Sequence, residues 1–181
     1  NILTAAKIEN IKAETKSYIE TELKIGSQTK PFLVDTEEER NDVYAPNGIQ
    51  IAQNEKAETG PEKRFIDGIK EGLHQSMQKH SNLIIMGQDI AEYGGAFKIT
   101  EGFAAEFGKE RVRNTPICES AVVGAALGLS LEGYKAIMEM QFADFATVGF
   151  NQIINNLAKI YYRWGQNADV VIRMPTGGGV G

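Results

Sequence analysis

The stretch that most constrains this chain runs through residues 111–128. A short β-branched strand reaches Pro116, which cannot continue a sheet ladder, and a helix made almost wholly of Ala, Val, Gly and Leu follows at once. A helix over Glu119–Leu131 offers no polar face, so it has to be buried between a sheet and a second surface that approaches its Gly and Ala positions closely. Glu119 stands at the junction. An acidic residue in a first helical turn offsets the positive end of the macrodipole and satisfies orphan N–H groups, which is a purely structural role. A carboxylate carried into apolar surroundings must also be paired, protonated or working, which is the functional alternative.

The rest of the chain supplies the partners such a helix requires. Phe65, Ile66, Ile69, Leu73 and Met77 mark a helix ending near His80, and Leu83-Ile84-Ile85-Met86 is a short apolar strand closed by Gly87-Gln88-Asp89. A glycine loop at residues 93–97 leads into a short helix over residues 100–107, with Gly108 as its stop. Residues 135–142 read as an interior strand. Residues 145–162 read as one long helix with Phe145, Val148, Ile153, Leu157 and Ile160 on its buried side, and residues 169–174 as a last strand before Pro175. Strands alternating with helices predict an α/β fold: a doubly wound, mainly parallel sheet with helices on both faces. Right-handed crossovers place the C-terminal ends of such strands on one edge, where open sheets bind ligands. That edge carries Gln88, residues 114–119, residues 142–145 and the terminal glycines.

The first third differs in kind. Ile8, Ile11, Thr15, Tyr18, Ile19 and Leu23 recur at three- and four-residue spacing, which predicts an amphipathic helix within residues 1–30, capped by Thr4 and stopped at Gly26. Its stripe requires a docking partner. Residues 31–61 carry the acidic run Glu37-Glu38-Glu39 and the turn signal Pro46-Asn47-Gly48 without a sustained period, and read as an extended linker before a domain at residues 62–181. The chain begins with Asn1 and ends in a glycine cluster, which suggests a piece of something longer.

Charge and composition narrow the function. A net charge of −5 without a basic stripe argues against nucleic acid, and no apolar run approaches a membrane span. With one cysteine and two histidines, neither a disulfide nor a Cys/His metal cluster is expected, and a cytoplasmic or organelle-matrix setting fits. His74 and His80 lack the spacing that puts two ligands on one helical face and are expected at the surface. Cys118 is expected as a small buried filler, Gly177-Gly178-Gly179 as a tight turn without the Lys-Ser/Thr of a P-loop, and Asn151, Gln152, Asn155 and Asn156 as amides tying a helix to its neighbours.

Five ordered segments then act together. Met-Gly-Gln-Asp-Ile-Ala-Glu-Tyr-Gly-Gly-Ala-Phe-Lys-Ile-Thr-Glu-Gly at 86–102, Asn-Thr-Pro-Ile-Cys-Glu at 114–119, Glu-Met-Gln-Phe-Ala-Asp-Phe at 139–145, Asn-Gln-Ile-Ile-Asn at 151–155 and Arg-Met-Pro-Thr-Gly-Gly-Gly at 173–179 closely resemble, in the same order, the beta subunit of the thiamine-diphosphate-dependent 2-oxo acid dehydrogenases. Residues 1–45 resemble the tail of the alpha subunit more weakly, as at the junction of a fused alpha–beta chain. The resemblance implies a pyrimidine-binding domain in which Glu119 hydrogen-bonds the ring nitrogen of the cofactor's aminopyrimidine, the backbone at Ile117 contacts that ring, and Gln141 and Phe145 line it. It implies oxidative decarboxylation of a 2-oxo acid with acyl transfer to a lipoyl-bearing acyltransferase, or else another transketolase-like reaction.

Gln88 departs from well-known relatives, which carry a glutamate there; an amide cannot titrate, but it can bond to Glu119. The pair of Gly-Asp-Gly and Asn-Asn elements that holds magnesium diphosphate in that family does not occur in this sequence; Asn155-Asn156 has no Gly-Asp-Gly partner. Magnesium is therefore expected on an alpha-type diphosphate-binding half, in a dimer or two-by-two assembly, and this piece alone is expected to be inactive. A non-catalytic pairing subunit is the remaining alternative.

Overall fold

The computed structural model describes residues 3–46 and 60–177 and divides the chain into two compact units, residues 1–40 and residues 41–181. In the first, α1 (Ala5–Gln28) begins as expected: Thr4 is the N-cap, and its hydroxyl accepts from the Lys7 N–H at 3.3 Å. It runs past Gly26, because Thr29 supplies the stop through its backbone N–H and its hydroxyl, both donating to the Ile25 carbonyl. The acidic run is helical rather than extended. It forms α2 (Thr36–Asn41), whose first turn is capped by the Asp35 carboxylate accepting from the N–H groups of Glu37 and Glu38, so three carboxylates sit where the macrodipole favours them. Of the turn signal at residues 46–48, Asn47 and Gly48 lie outside the described residues.

The second unit is a four-stranded sheet, all parallel, in the order β2-β1-β3-β4. Its strands are β1 (Leu83–Gly87), β2 (Val112–Asn114), β3 (Lys135–Glu139) and β4 (Val170–Arg173). Alternation along the strands sorts side chains to two faces. Leu83, Ile85, Val112 and Ile137 pack with Met77 of α3 (Phe65–Lys79) and Phe103 of α4 (Phe103–Phe107). Ile84, Met86, Ala136 and Met138 pack with Val122, Val123 and Ala126 of α5 (Glu119–Leu131). Helices therefore cover both faces, as the alternating pattern predicts.

Several expected boundaries move. The helix predicted over 100–107 keeps only α4, because Gly102 takes a left-handed φ of 89° just before it. Strands β3 and β4 stop at Glu139 and Arg173. The long helix predicted over 145–162 is broken into a 3₁₀ turn at Ala143–Phe145, α6 (Ala146–Asn151), a π-helical turn at Gln152–Leu157 and α7 (Ile160–Trp164). The i→i+5 bond from Ala158 N–H to the Ile153 carbonyl, 2.8 Å, defines the π turn. Its amides bond along the segment, with Asn155 donating to Asn151 and Asn156 to Gln152. Of the side chains expected beneath that helix, Ile160 is buried while Phe145 and Val148 are exposed. Helix α5 is enclosed by the sheet on one side and by α6 and the π turn on another, while Ala121, Ala125 and Gly128 are open.

Two residues do more than expected. Arg111 donates to the carbonyls of Met77, His80 and Leu83 at 2.7 to 3.0 Å, satisfying the C-terminal end of α3. His74 is half-buried rather than a surface residue: it bonds both oxygens of Glu106 and packs on Phe103 and Phe107, which joins α3 to α4. His80, likewise half-buried, is the C-cap of α3.

Candidate active site at the carboxyl edge of the sheet

The turn after β2 brings Glu119 to the start of α5, above the carboxyl ends of the strands, where it is 6% exposed. Gln88, the first residue beyond β1, donates from Nε2 to Glu119 Oε1 at 3.1 Å. Among the described residues the carboxylate has no other side-chain partner, so Oε2 remains for a donor from elsewhere.

Glu119 lines an open cavity of about 660 Å³ together with Gln88, Ile117, Cys118, Ser120, Ala121, Gln141, Phe145 and Val148. All five residues singled out from the sequence, Gln88, Ile117, Glu119, Gln141 and Phe145, meet at this one cavity. Cys118 is only partly the buried filler expected: half-buried, it packs against the core beneath α5 and also lines the cavity, its thiol donating to the Pro116 carbonyl at 3.4 Å. Ile117 is 83% exposed, and the Phe145 ring stands edge-on to Phe142 at 5.9 Å. The result is a wide apolar mouth with one buried acid at its base.

The wall carried by α6 is set by a glycine. A Cβ at Gly149 would lie 3.2 Å from Met140 Cε and 3.4 Å from Val123 Cγ2, so α6 rests directly against the first turns of α5. Gly149→Val is expected to lower stability by about 1–3 kcal/mol in urea unfolding through overpacking. Gly149→Ala, where the flexible Met140 end can give, is expected to be far milder.

A row of polar residues that the sequence reading did not assign lies under the site. Asn114, Gly87, Glu139 and Arg173 are register partners across the sheet, at the ends of β2, β1, β3 and β4. Asn114 Oδ1 accepts from the Ala91 N–H at 2.8 Å, and its Nδ2 donates to Glu92 at 2.9 Å. The hydrogen bond from Lys109 holds the Glu92 carboxyl below the usual carboxylate range. Glu139, 3% exposed, accepts from the Ala96 N–H at 3.2 Å and from Arg173 Nε at 3.0 Å. Charged residues closing otherwise apolar strands were the available signal; their pairing needed the register.

Among the described residues no group of three or more His, Cys, Asp or Glu side chains is placed to hold a metal ion, and no helix is long and apolar enough to cross a membrane.

The chain is 42% identical over 118 residues to the 2-oxoisovalerate dehydrogenase subunit beta of Bacillus subtilis (strain 168), covering 64% of this chain and 36% of that protein. It is 33% identical over 188 residues to the chloroplastic pyruvate dehydrogenase E1 component subunit beta-3 of Arabidopsis thaliana, covering all of this chain and 45% of that protein. A pyruvate dehydrogenase E1 component subunit beta from Leifsonia xyli subsp. xyli (strain CTCB07) is 40% identical over 119 residues, covering 65% of this chain and 35% of that protein. The chain thus spans between about a third and a half of the length of these relatives. Residues 62–181, which hold the whole sheet and its cavity, match the family described as transketolase, pyrimidine binding domain, and the chain belongs to that family.

Proposed function

We propose that this chain carries the pyrimidine-binding part of a thiamine-diphosphate-dependent 2-oxo acid dehydrogenase, the decarboxylating first component of a multienzyme complex. The observation that carries the reading is Glu119, a buried carboxylate with one oxygen tied to Gln88, lining a cavity that an aromatic ring also lines. That donor set fits an aminopyrimidine: one acid for a ring nitrogen, one aromatic edge and apolar walls for the ring itself.

When bound, thiamine diphosphate supplies the carbon nucleophile and the electron sink that release carbon dioxide from a 2-oxo acid. Everything else falls to the protein. Glu119 holds a proton between its carboxyl oxygen and the pyrimidine ring nitrogen, and low local polarity strengthens that bond. Gln88 keeps the carboxyl from rotating by occupying Oε1; as an amide it orients and does not relay protons. Phe145, Ile117 and Val148 would hold the ring by apolar contact, and the Gln141 amide would offer it a polar one. The diphosphate and its magnesium are assigned to an alpha-type half in a dimeric or two-by-two assembly, with a lipoyl-bearing acyltransferase as acyl acceptor.

Residues 1–45 are assigned to the end of that alpha-type half, fused ahead of the beta-type domain. The match to the chloroplastic subunit, which runs through the whole chain, favours the other reading, an N-terminal extension of a beta subunit.

Titrating thiamine diphosphate with magnesium into the intact protein is expected to give saturable binding, which a pairing subunit without catalytic role would lack. Phe145→Ala is expected to raise the half-saturating concentration about tenfold, from the loss of an aromatic contact worth ~1.4 kcal/mol. Reductive acylation of lipoamide separates a complex-type enzyme from other transketolase-like ones.

A further inference from the structure

The loop leaving β1 starts with Gln88 and is held down at two points by the polar row beneath it. Asn114 takes the Ala91 N–H and Glu139 takes the Ala96 N–H. Two glycines are shaped around Glu139 in particular. A Cβ at Gly87 would fall 2.6 Å from the Glu139 carbonyl oxygen and 3.1 Å from its Cβ. A Cβ at Gly95, whose φ is 72°, would fall 3.0 Å from Glu139 Oε1 and 2.8 Å from Thr100 Oγ1. The backbone on either side of Gln88 therefore approaches this one carboxylate as closely as the chain allows. Arg173 fixes the carboxylate in turn, Nε donating at 3.0 Å, with Nη2 also closing on the same oxygen.

We propose that Glu139, clamped by Arg173, is a positioning residue of the cavity: by pinning Gly95 and Ala96 and packing against Gly87, it sets the place of Gln88 and so the Gln88–Glu119 hydrogen bond. Glu139 lies on the α3 and α4 side of the sheet and does not line the cavity, so it acts only through the loop. The pin also accounts for the left-handed φ of 59° at both Phe97 and Lys98, which follow Ala96 directly and are held in a region that side-chain-bearing residues seldom occupy. The inference rests on the reading of the cavity as the cofactor site only for its second consequence, tighter cofactor binding.

The test has a ligand-free arm and a cofactor arm, both on the intact protein. Glu139→Gln keeps the shape but gives Arg173 one neutral acceptor in place of a carboxylate. In the absence of any ligand, hydrogen exchange over residues 88–99 is expected to rise about tenfold or more, and a crystal structure of the variant is expected to show Gln88 Nε2 withdrawn from Glu119. Should Glu139→Gln not fold, Gly95→Ala keeps both charges but crowds Glu139 Oε1 and Thr100 Oγ1 and so displaces Ala96, and the same two readings apply. In the cofactor arm, Glu139→Gln is expected to raise half-saturation by thiamine diphosphate about tenfold, the lower end of what outer-layer partners of a site contribute. In a Gln88→Ala background the same substitution is expected to add nothing, because the residue through which it acts is gone. A Gln88–Glu119 bond intact in the variant, unchanged loop exchange, or penalties that multiply in the double variant would overturn the proposal. Absence of saturable cofactor binding in the unsubstituted protein would instead overturn the cofactor reading, and the ligand-free arm would still decide the role of Glu139.

Discussion

On the proposed function, Glu119→Gln in the intact protein is expected to lower decarboxylation of a 2-oxo acid by about 10²–10⁴-fold, the range associated with a positioned acid–base group. The substitution is close to isosteric, and a glutamine carbonyl can still accept the bond from Gln88 Nε2 that Glu119 Oε1 accepts at 3.1 Å. What an amide cannot do is share a proton with a ring nitrogen. Removing a buried charge that has a single side-chain partner also does not leave an unpaired ion behind, so folding stability is expected to hold or rise slightly. Carbon dioxide release at saturating cofactor, measured beside thermal unfolding, separates the two effects. A variant that turns over at the unsubstituted rate removes Glu119 from the chemistry. A variant that merely unfolds earlier makes it a first-turn carboxylate and nothing more.

The position of Glu119 was legible because two strong local signals coincide there. Pro116 ends a strand, and an unbroken run of small apolar residues starts a helix three residues later, so the observed α5, Glu119–Leu131, has the bounds expected from sequence. The parallel sheet was legible for a related reason: each strand is a short apolar run bounded by turn residues. The break in the helix over 145–162 was not legible. Whether a helical turn closes on the fourth or fifth residue is settled by what it packs against, and here the Gln152 side chain sits 3.6 Å from the space above Gly124 of α5. Periodicity also misjudged Phe145 and Val148. Both lie on the apolar stripe of the segment, yet both end beside the cavity because Gly149 lets α6 sit close to α5 and the stripe overhangs the sheet edge. An apolar side chain at such an edge is a surface for a ligand or a neighbouring subunit as readily as it is core.

The α1 stripe shows the opposite limit. The spacing of Ile8, Ile11, Ile19 and Leu23 predicted a helix, and the helix is there, but every one of its residues is exposed within this chain. Amphipathic spacing fixes the secondary structure and states that a partner is needed; it does not name the partner. The same holds for Ala121, Ala125 and Gly128 on the outer face of α5, where small side chains permit close approach without choosing what approaches.

Arg173→Met is expected to destabilise the fold by about 3–5 kcal/mol, because it leaves the Glu139 carboxylate buried with only a backbone N–H for company. Glu139 is 2% exposed at its side chain and Arg173 15%, so neither charge can be rehydrated without opening the end of the sheet. The magnitude reflects the stranded charge rather than the worth of the pair. Adding Glu139→Gln to Arg173→Met removes the remaining charge, and most of the lost stability is expected to return, since an amide against a methionine carries a far smaller desolvation cost. Urea unfolding of the two single variants and the double variant provides the cycle. Independent, additive losses would mean that Glu139 and Arg173 do not depend on each other. A rescued double variant would mean that what holds β3 to β4 at this edge is apolar packing and ladder bonds, such as the Met140 N–H donating to the Arg173 carbonyl at 2.9 Å, and that two charges are kept there for where they place the loop above them.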